Sequence, residues 1–439
     1  MHFKQQYTYI MKRKIYSKLI DWKASKNRKP LILEGARQIG KTWIMKEFGR
    51  SEYKKMIYIN CEDEPRVAPL LSLDFDIERI VLGLQAISGI KADEETLIIL
   101  DEIQEVPRGL TALKYFYEKA PQLHVMVAGS LLGITLHQGT SFPVGKVDLM
   151  PMHPMDFLEF LDAMGQHTLV EILLSKDWAL IETMHNQYVE YLRQYYFVGG
   201  MPEVVKSFVE RGDLAEVRQL QNNILSAYRN DTSKHAPTHE VIRINQVLDS
   251  IPVQLAKKNK KFAYGSIKKG SRSNDYETAI QWLKDSGIIH QVTKVDKGTL
   301  PLKFYENPSF FKLYICDCGL LGCMANAPAD QMLIGENVFV EFKGAFTEQF
   351  VLQQLTNIDN LDIHYWASKA DAKLDFLIQQ ESMILPIEVK AETNVKSRSL
   401  HSFITSHPDL HGIRFSMSLY REQDWMTNYP LYAISAILQ

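Results

Sequence analysis

The segment Gly35-Ala36-Arg37-Gln38-Ile39-Gly40-Lys41-Thr42 constrains the fold of this 439-residue chain more than any other. It fits G-x-x-x-x-G-K-[ST] and stands between an apolar run ending at Glu34 and a stretch from Trp43 to Phe48 that reads as helix. A strand that breaks into a Gly-bounded loop and then a helix is the start of an α/β sheet. Gly35 and Gly40 permit backbone angles closed to other residues, so successive N–H groups and the helix N-terminus can surround a β-phosphate. Lys41 would then neutralise β- and γ-oxygens, and Thr42 would offer its hydroxyl to a Mg2+ bridging them. Gly35 through Thr42, with Trp43 after them, form the candidate nucleotide-binding set. The competing reading is a Gly-rich turn carrying a surface lysine.

The second half of such a site follows in T-L-I-I-L-D-E, where Thr96 to Leu100 read as a buried strand ending in Asp101 and Glu102. Carboxylates at the C-terminal edge of a strand sit where α/β sheets bind ligands. Asp101 is placed to hold Mg2+ through water. Glu102 is placed to orient and polarise the attacking water, the role that separates a hydrolase from a passive binder. An exposed acidic turn is the alternative. Another strand, Met56 to Asn60, lies between the two motifs, and His124 to Gly129 follows them, closed by Ser130. This order resembles the AAA-type ATPases, where the polar residue closing that next strand contacts the γ-phosphate. The resemblance makes Ser130 a candidate catalytic residue beside Lys41 and Glu102, although a serine there also serves as an ordinary helix N-cap. Where relatives of this type often carry Gly-Arg as an inter-subunit finger, this chain has Gly145-Lys146. A lysine lacks the planar fork that stabilises a transferring phosphoryl group, which weakens the case for trans-activation in a ring.

With 46% hydrophobic residues and a formal charge of −2, the chain can bury more than one core and exerts no global pull on nucleic acid. Cys61, Cys316, Cys318 and Cys323 form no C-x-x-C pair and no zinc spacing with histidine, so they read as free thiols in a reducing compartment. Neither a signal peptide nor a run of ~18 apolar residues is recognisable, and the expectation is a cytoplasmic protein without a membrane span. From Pro151 to about Asp231 the pattern is helical and suits a lid over the nucleotide. Its stripe of Tyr188, Tyr191, Tyr195 and Tyr196 reads as core packing rather than a base-stacking platform.

From His239 two shorter helices and two strands, Ile289 to Thr293 and Leu302 to Glu306, describe a winged helix, with Asn274 or Asp275 capping its second helix and Gly287 ending it. That helix offers Asp275, Glu277 and Asp285 against Lys284, a poor surface for phosphates, which favours protein contacts or domain packing. The run Lys257, Lys258, Lys260, Lys261, then Lys268, Lys269 and Arg272, keeps DNA binding open.

Near the C-terminus a helix carries Glu348, a strand carries Asp375, and P-I-E-V-K-A makes a strand with Glu388 and Lys390 on one face. Two acidic groups and a lysine on adjacent strands can bind Mg2+ and activate water for phosphodiester cleavage. This resembles the PD-(D/E)-x-K restriction-endonuclease fold, with Glu348, Asp375, Glu388 and Lys390 at matching positions; an ion pair on a half-exposed sheet gives the same pattern. Taken in order, G-A-R-Q-I-G-K-T, L-D-E, A-G-S, G-G-M-P, F-K-L-Y-I-C-D-C-G-L-L and P-I-E-V-K-A resemble a prokaryotic family joining an AAA-type ATPase domain to a C-terminal nuclease-like domain of uncharacterised role. The resemblance implies ATP and Mg2+ as ligands and an ATPase activity.

The expected fold is therefore multidomain α/β: an AAA-type P-loop domain with an N-terminal helix over 1–150, a helical lid over 151–235, a winged helix over 236–306, and a PD-(D/E)-x-K nuclease-like domain over 307–439. The leading functional expectation is an ATPase whose nucleotide state switches the relation between these domains. An ATP-gated DNA nuclease or DNA-binding protein is the second, and a nucleotide-dependent regulatory module with little turnover is the third. DNA, a protein partner and further copies of the chain stand as candidate partners beside ATP.

Overall fold

The computed structural model describes residues 11–129, 142–257, 259–333, 340–368, 372–391 and 396–438. Ser130 and Lys258, both singled out above, lie outside them.

Five strands form the first sheet: β1 (Leu31–Glu34), β2 (Lys55–Asn60), β3 (Thr96–Asp101), β4 (His124–Ala128) and β5 (Asp148–Pro151). All neighbours are parallel, in the order β2-β3-β4-β1-β5. A parallel sheet needs helices on both faces, and its strands read as unbroken apolar runs for that reason; β3 is buried along its whole length. Alternate residues feed opposite cores, with Leu97 and Ile99 on one side and Ile98 and Leu100 on the other. One of the helices that cover it starts and stops on local signals. Asp76 accepts the Glu78 and Arg79 amides to begin Ile77–Ser88, and Gly89, in the left-handed region, ends it.

After β5 come six helices between Phe157 and His235. The first opens on a capping box, in which Asp156 accepts the Glu159 amide while Glu159 accepts the Asp156 amide. Tyr188 and Tyr195 are fully buried here, their hydroxyls donating to the Leu169 and Met155 carbonyls. Tyr191 and Tyr196 are partly buried and pack against the same cluster, so the stripe packs on the core as its spacing suggested.

The second sheet has eight strands: β6 (Ile289–Val295), β7 (Glu306–Ile315), β8 (Leu361–Ala367), β9 (Lys373–Gln380), β10 (Met383–Val389), β11 (Gly412–Ser416), β12 (Arg421–Gln423) and β13 (Met426–Pro430). Their order is β12-β13-β11-β10-β9-β8-β6-β7. Helices Thr238–Leu255 and Glu277–Asp285 precede the β6–β7 hairpin, the element order expected there. Two details differ. The strand expected at Leu302–Glu306 is a 3-10 turn over Leu302–Tyr305, which starts after Pro301, whose ring fixes φ, and places Leu302 in the core; β7 begins only at Glu306. The hairpin also does not stand apart, because β6 pairs in parallel with β8. The sheet thus spans the division drawn at residue 306. One apolar core, holding Leu31 and Met126 of the first sheet with Tyr314 and Phe376 of the second, runs through both. No helix among the described residues is long and apolar enough to cross a membrane.

Candidate functional site

Strands β1 and β3 end at the same edge of the first sheet, and this brings the two sequence motifs together. Between β1 and the helix Lys41–Glu52 the loop turns through left-handed backbone at Gly35 (φ 137°), Gln38 (φ 65°) and Gly40 (φ 91°). A Cβ on Gly35 would lie 2.2 Å from the Met152 carbonyl oxygen, so only glycine fits beneath the next strand's exit. The loop is braced from behind by Arg13, which donates to the Ile39 carbonyl (3.1 Å) and the His153 carbonyl (2.7 Å) and pairs with Glu159 (3.1 Å).

Lys41 is 7% exposed, and its ammonium donates to the Gly35 and Ala36 carbonyl oxygens at 2.7 and 2.8 Å. Burial, opposed by Glu102 and Asp101, lowers its pKa to about 8. Thr42 donates its hydroxyl to Asp101 Oδ2 at 2.6 Å, and Tyr58 of β2 donates to the same oxygen at 3.1 Å. Burial raises the Asp101 pKa, with these two hydroxyls opposing. Glu102 follows in the left-handed region (φ 51°), where its Oε2 accepts from the Gln104 amide at 2.7 Å. Trp43 is 38% exposed on the first helical turn.

Elements distant in sequence close over the loop. Arg37 pairs with Asp231 of helix Leu214–His235, and Tyr228 of that helix donates to the Arg37 carbonyl at 3.1 Å. Gly287 ends the helix Glu277–Asp285 as expected, at φ 72°, and a Cβ there would lie 2.9 Å from the Ala36 backbone nitrogen. Asn274 and Asp275 do not cap that helix; they lie in the 3-10 turn before it, where Asp275 accepts the Arg272 amide (2.8 Å). Lys146 is committed to its own domain, pairing with Glu118 (3.1 Å) and resting over the Tyr117 ring. Arg13, Tyr58, Tyr228 and Asp231 escaped the sequence reading. Tyr58 alone had a local signal, being close to the end of the strand beside the acidic one.

At the C-terminal cluster, β9 and β10 place Asp375 beside Glu388, with the Val389 amide donating to Asp375 (2.8 Å) and Lys390 paired with Glu388 (3.1 Å). Glu348 joins them, yet it is taken up by lysines: Lys260 pairs with Oε1, while Lys312 (3.3 Å) and Tyr314 (3.0 Å) donate to Oε2. Burial raises the Glu348 pKa, but Lys260 and Lys312 outweigh it and hold the carboxyl well below the usual range. Asp375, buried and beside Glu348, is pushed up to about 6. Glu388 Oε2 is buried without a hydrogen-bond partner among the described residues. No group of three acidic, histidine or cysteine side chains among the described residues is arranged to hold a metal ion. Among these side chains the Glu348 carboxylate is thus already paired with two lysines. Glu348→Gln is expected to destabilise the fold by about 3–5 kcal/mol, since it strands buried ammonium groups; a melting temperature equal to that of the unaltered protein would contradict this.

Three family models match successive parts of the chain. Residues 27–161 match the AAA domain family. Residues 189–331 and 343–435 match two domains of unknown function, DUF8612 and DUF4143. No curated protein matches the chain. Among solved structures it is similar to the Walker-type ATPase PABY2304 of Pyrococcus abyssi, at 16% identity over 72% of this chain and 96% of that one, with a TM-score of 0.46. It is also similar to the Orc1 protein of Aeropyrum pernix, solved in complex with DNA, at 14% identity over 73% of this chain and 93% of that one, with a TM-score of 0.26. The AAA match encloses the first sheet and every phosphate-site residue from Gly35 to Glu102.

Proposed function

We propose that the AAA-type ATPase domain of this chain hydrolyses Mg·ATP and passes its nucleotide state to the helices and hairpin packed on its phosphate loop. The observation that carries this is the contact of Thr42 with Asp101 at 2.6 Å, beside a buried Lys41 whose hydrogen-bond partners are loop carbonyls. Thr42 and Asp101 are oxygen donors suited to Mg2+, and the raised pKa of Asp101 reflects a carboxylate that gains by meeting a cation. Thr42 and Asp101 would hold Mg2+, which when bound would supply charge neutralisation to the phosphates. The loop amides and Lys41 hold the phosphates in line. Glu102, steadied by Gln104, orients the attacking water and accepts its proton. The loop is closely packed, with Gly35 against the Met152 carbonyl and Gly287 against the Ala36 backbone.

The coupling rests on Arg37–Asp231, Tyr228–Arg37 and Gly287–Ala36, which link the loop to residues the DUF8612 match encloses. The nuclease reading is not favoured, since Lys260 and Lys312 occupy Glu348. The test is the steady-state release of phosphate from ATP by the full chain. Turnover is expected with Mg2+, and its loss in EDTA is expected to reverse on adding Mg2+. Tight ATP binding with no turnover at any Mg2+ concentration would leave the regulatory-module reading instead. Stimulation by duplex DNA would promote the nucleic-acid reading.

A further inference from the structure

We propose that Arg37 is the arginine that contacts the transferring phosphoryl group, acting within its own chain, and that Asp231 holds it aside until ATP arrives. This rests on the ATPase reading above. Arg37 lies inside the phosphate loop, two residues beyond Gly35 and four before Lys41. Its backbone is pinned, because its carbonyl oxygen accepts the Tyr228 hydroxyl at 3.1 Å. Its side chain is 41% exposed, whereas the side chain of its ion-pair partner Asp231 is only 8% exposed. A planar guanidinium on a fixed backbone, within the loop that surrounds the phosphates, needs only a rotamer change to reach them. The charges around it belong to the same site: Lys41 feels Arg37, and Asp231 feels Glu102.

The alternative supplier of such a charge, Lys146, is paired with Glu118 and lacks the fork geometry. When Arg37 turns to the phosphate, Asp231 loses its ion-pair partner while still buried on the long helix. The other charges at its end of that helix are His235 and Lys234, and Lys234 is engaged with Glu62 at 3.0 Å. An unpaired, buried carboxylate is costly, so the helix is driven to move with it. The same event that stabilises the transferring group thereby shifts Leu214–His235.

The experiment compares Arg37→Ala, Arg37→Lys and Asp231→Asn in the full chain, by kcat, KM and separate ATP and ADP affinities. Arg37→Ala is expected to lower kcat on the order of 10³-fold with a smaller change in KM, and Arg37→Lys to recover part of it. Asp231→Asn is expected to tighten ATP binding relative to ADP, an effect opposite in sign to what a misfolded variant gives. Turnover per chain should not rise with protein concentration, and mixing Arg37→Ala with Glu102→Gln should restore nothing. Restored activity in that mixture would place the arginine's action in a neighbouring chain and overturn the proposal, as would unaltered kcat in Arg37→Ala. If the unaltered protein shows no turnover, the ATPase reading fails; the preference for ATP over ADP, and its loss in Arg37→Ala, still decides the role of Arg37.

Discussion

Glu102→Gln is expected to bind ATP as the unaltered protein does and to turn it over about 10²- to 10⁴-fold more slowly. The substitution keeps the size of the side chain and its hydrogen-bonding reach to Gln104, while removing the capacity to accept a proton from water. Asp101, which meets Thr42 and Tyr58, is untouched, so the groups suited to Mg2+ keep their geometry. Binding is measured by a fluorescent ATP analogue and turnover by phosphate release. Normal turnover would remove Glu102 from the mechanism and leave the left-handed backbone at that residue without a catalytic explanation.

The second large effect is expected from Lys41→Met, which should abolish nucleotide binding. ATP at about 100 times its dissociation constant stabilises a protein by about 2.7 kcal/mol, and this variant should show none of that shift in melting temperature. The pH dependence has a definite sign. Burial lowers the Lys41 pKa to about 8, so the ammonium is increasingly neutral as pH rises through that value, and ATP affinity should fall with it. For folding the sign is opposite. The cost of holding a buried charge is fully present below about pH 8 and fades as pH rises from there toward the ordinary lysine value. ATP affinity unchanged between pH 7 and pH 9.5, or an ATP-induced shift surviving in Lys41→Met, would contradict the role given to Lys41.

Much of the phosphate site was legible because its chemistry is local. Glycines that must take left-handed backbone, a lysine at the next helix's start and a carboxylate pair closing an apolar run are dictated over a few residues each. The order of strands along the chain was legible as well, with β2 between the two motifs and β4 after them, whereas the placing of β4 between β1 and β3 is seen only in the sheet. The C-terminal cluster shows the limit of this. Glu348, Asp375, Glu388 and Lys390 do gather as their pattern implied, but whether they hold a metal depends on groups the pattern does not contain. Lys260 read as part of an exposed basic run; in the fold it is nearly buried against Glu348, 88 residues away. Its ammonium meets a carboxylate within the fold. The boundary at residue 306 failed to separate sheets for a related reason: the parallel pairing of β6 with β8 joins strands across more than sixty intervening residues.

By itself, then, the sequence determined the phosphate loop, the acidic strand end and the helical character of the middle, because periodicity and backbone permissiveness act between near neighbours. Only the tertiary structure decided which charges meet. Arg37 with Asp231, Gly287 against Ala36, and Lys260 and Lys312 on Glu348 are contacts between segments far apart along the chain. An ionisable side chain acquires its role from what it faces after burial, where an unpaired charge is too costly to leave alone.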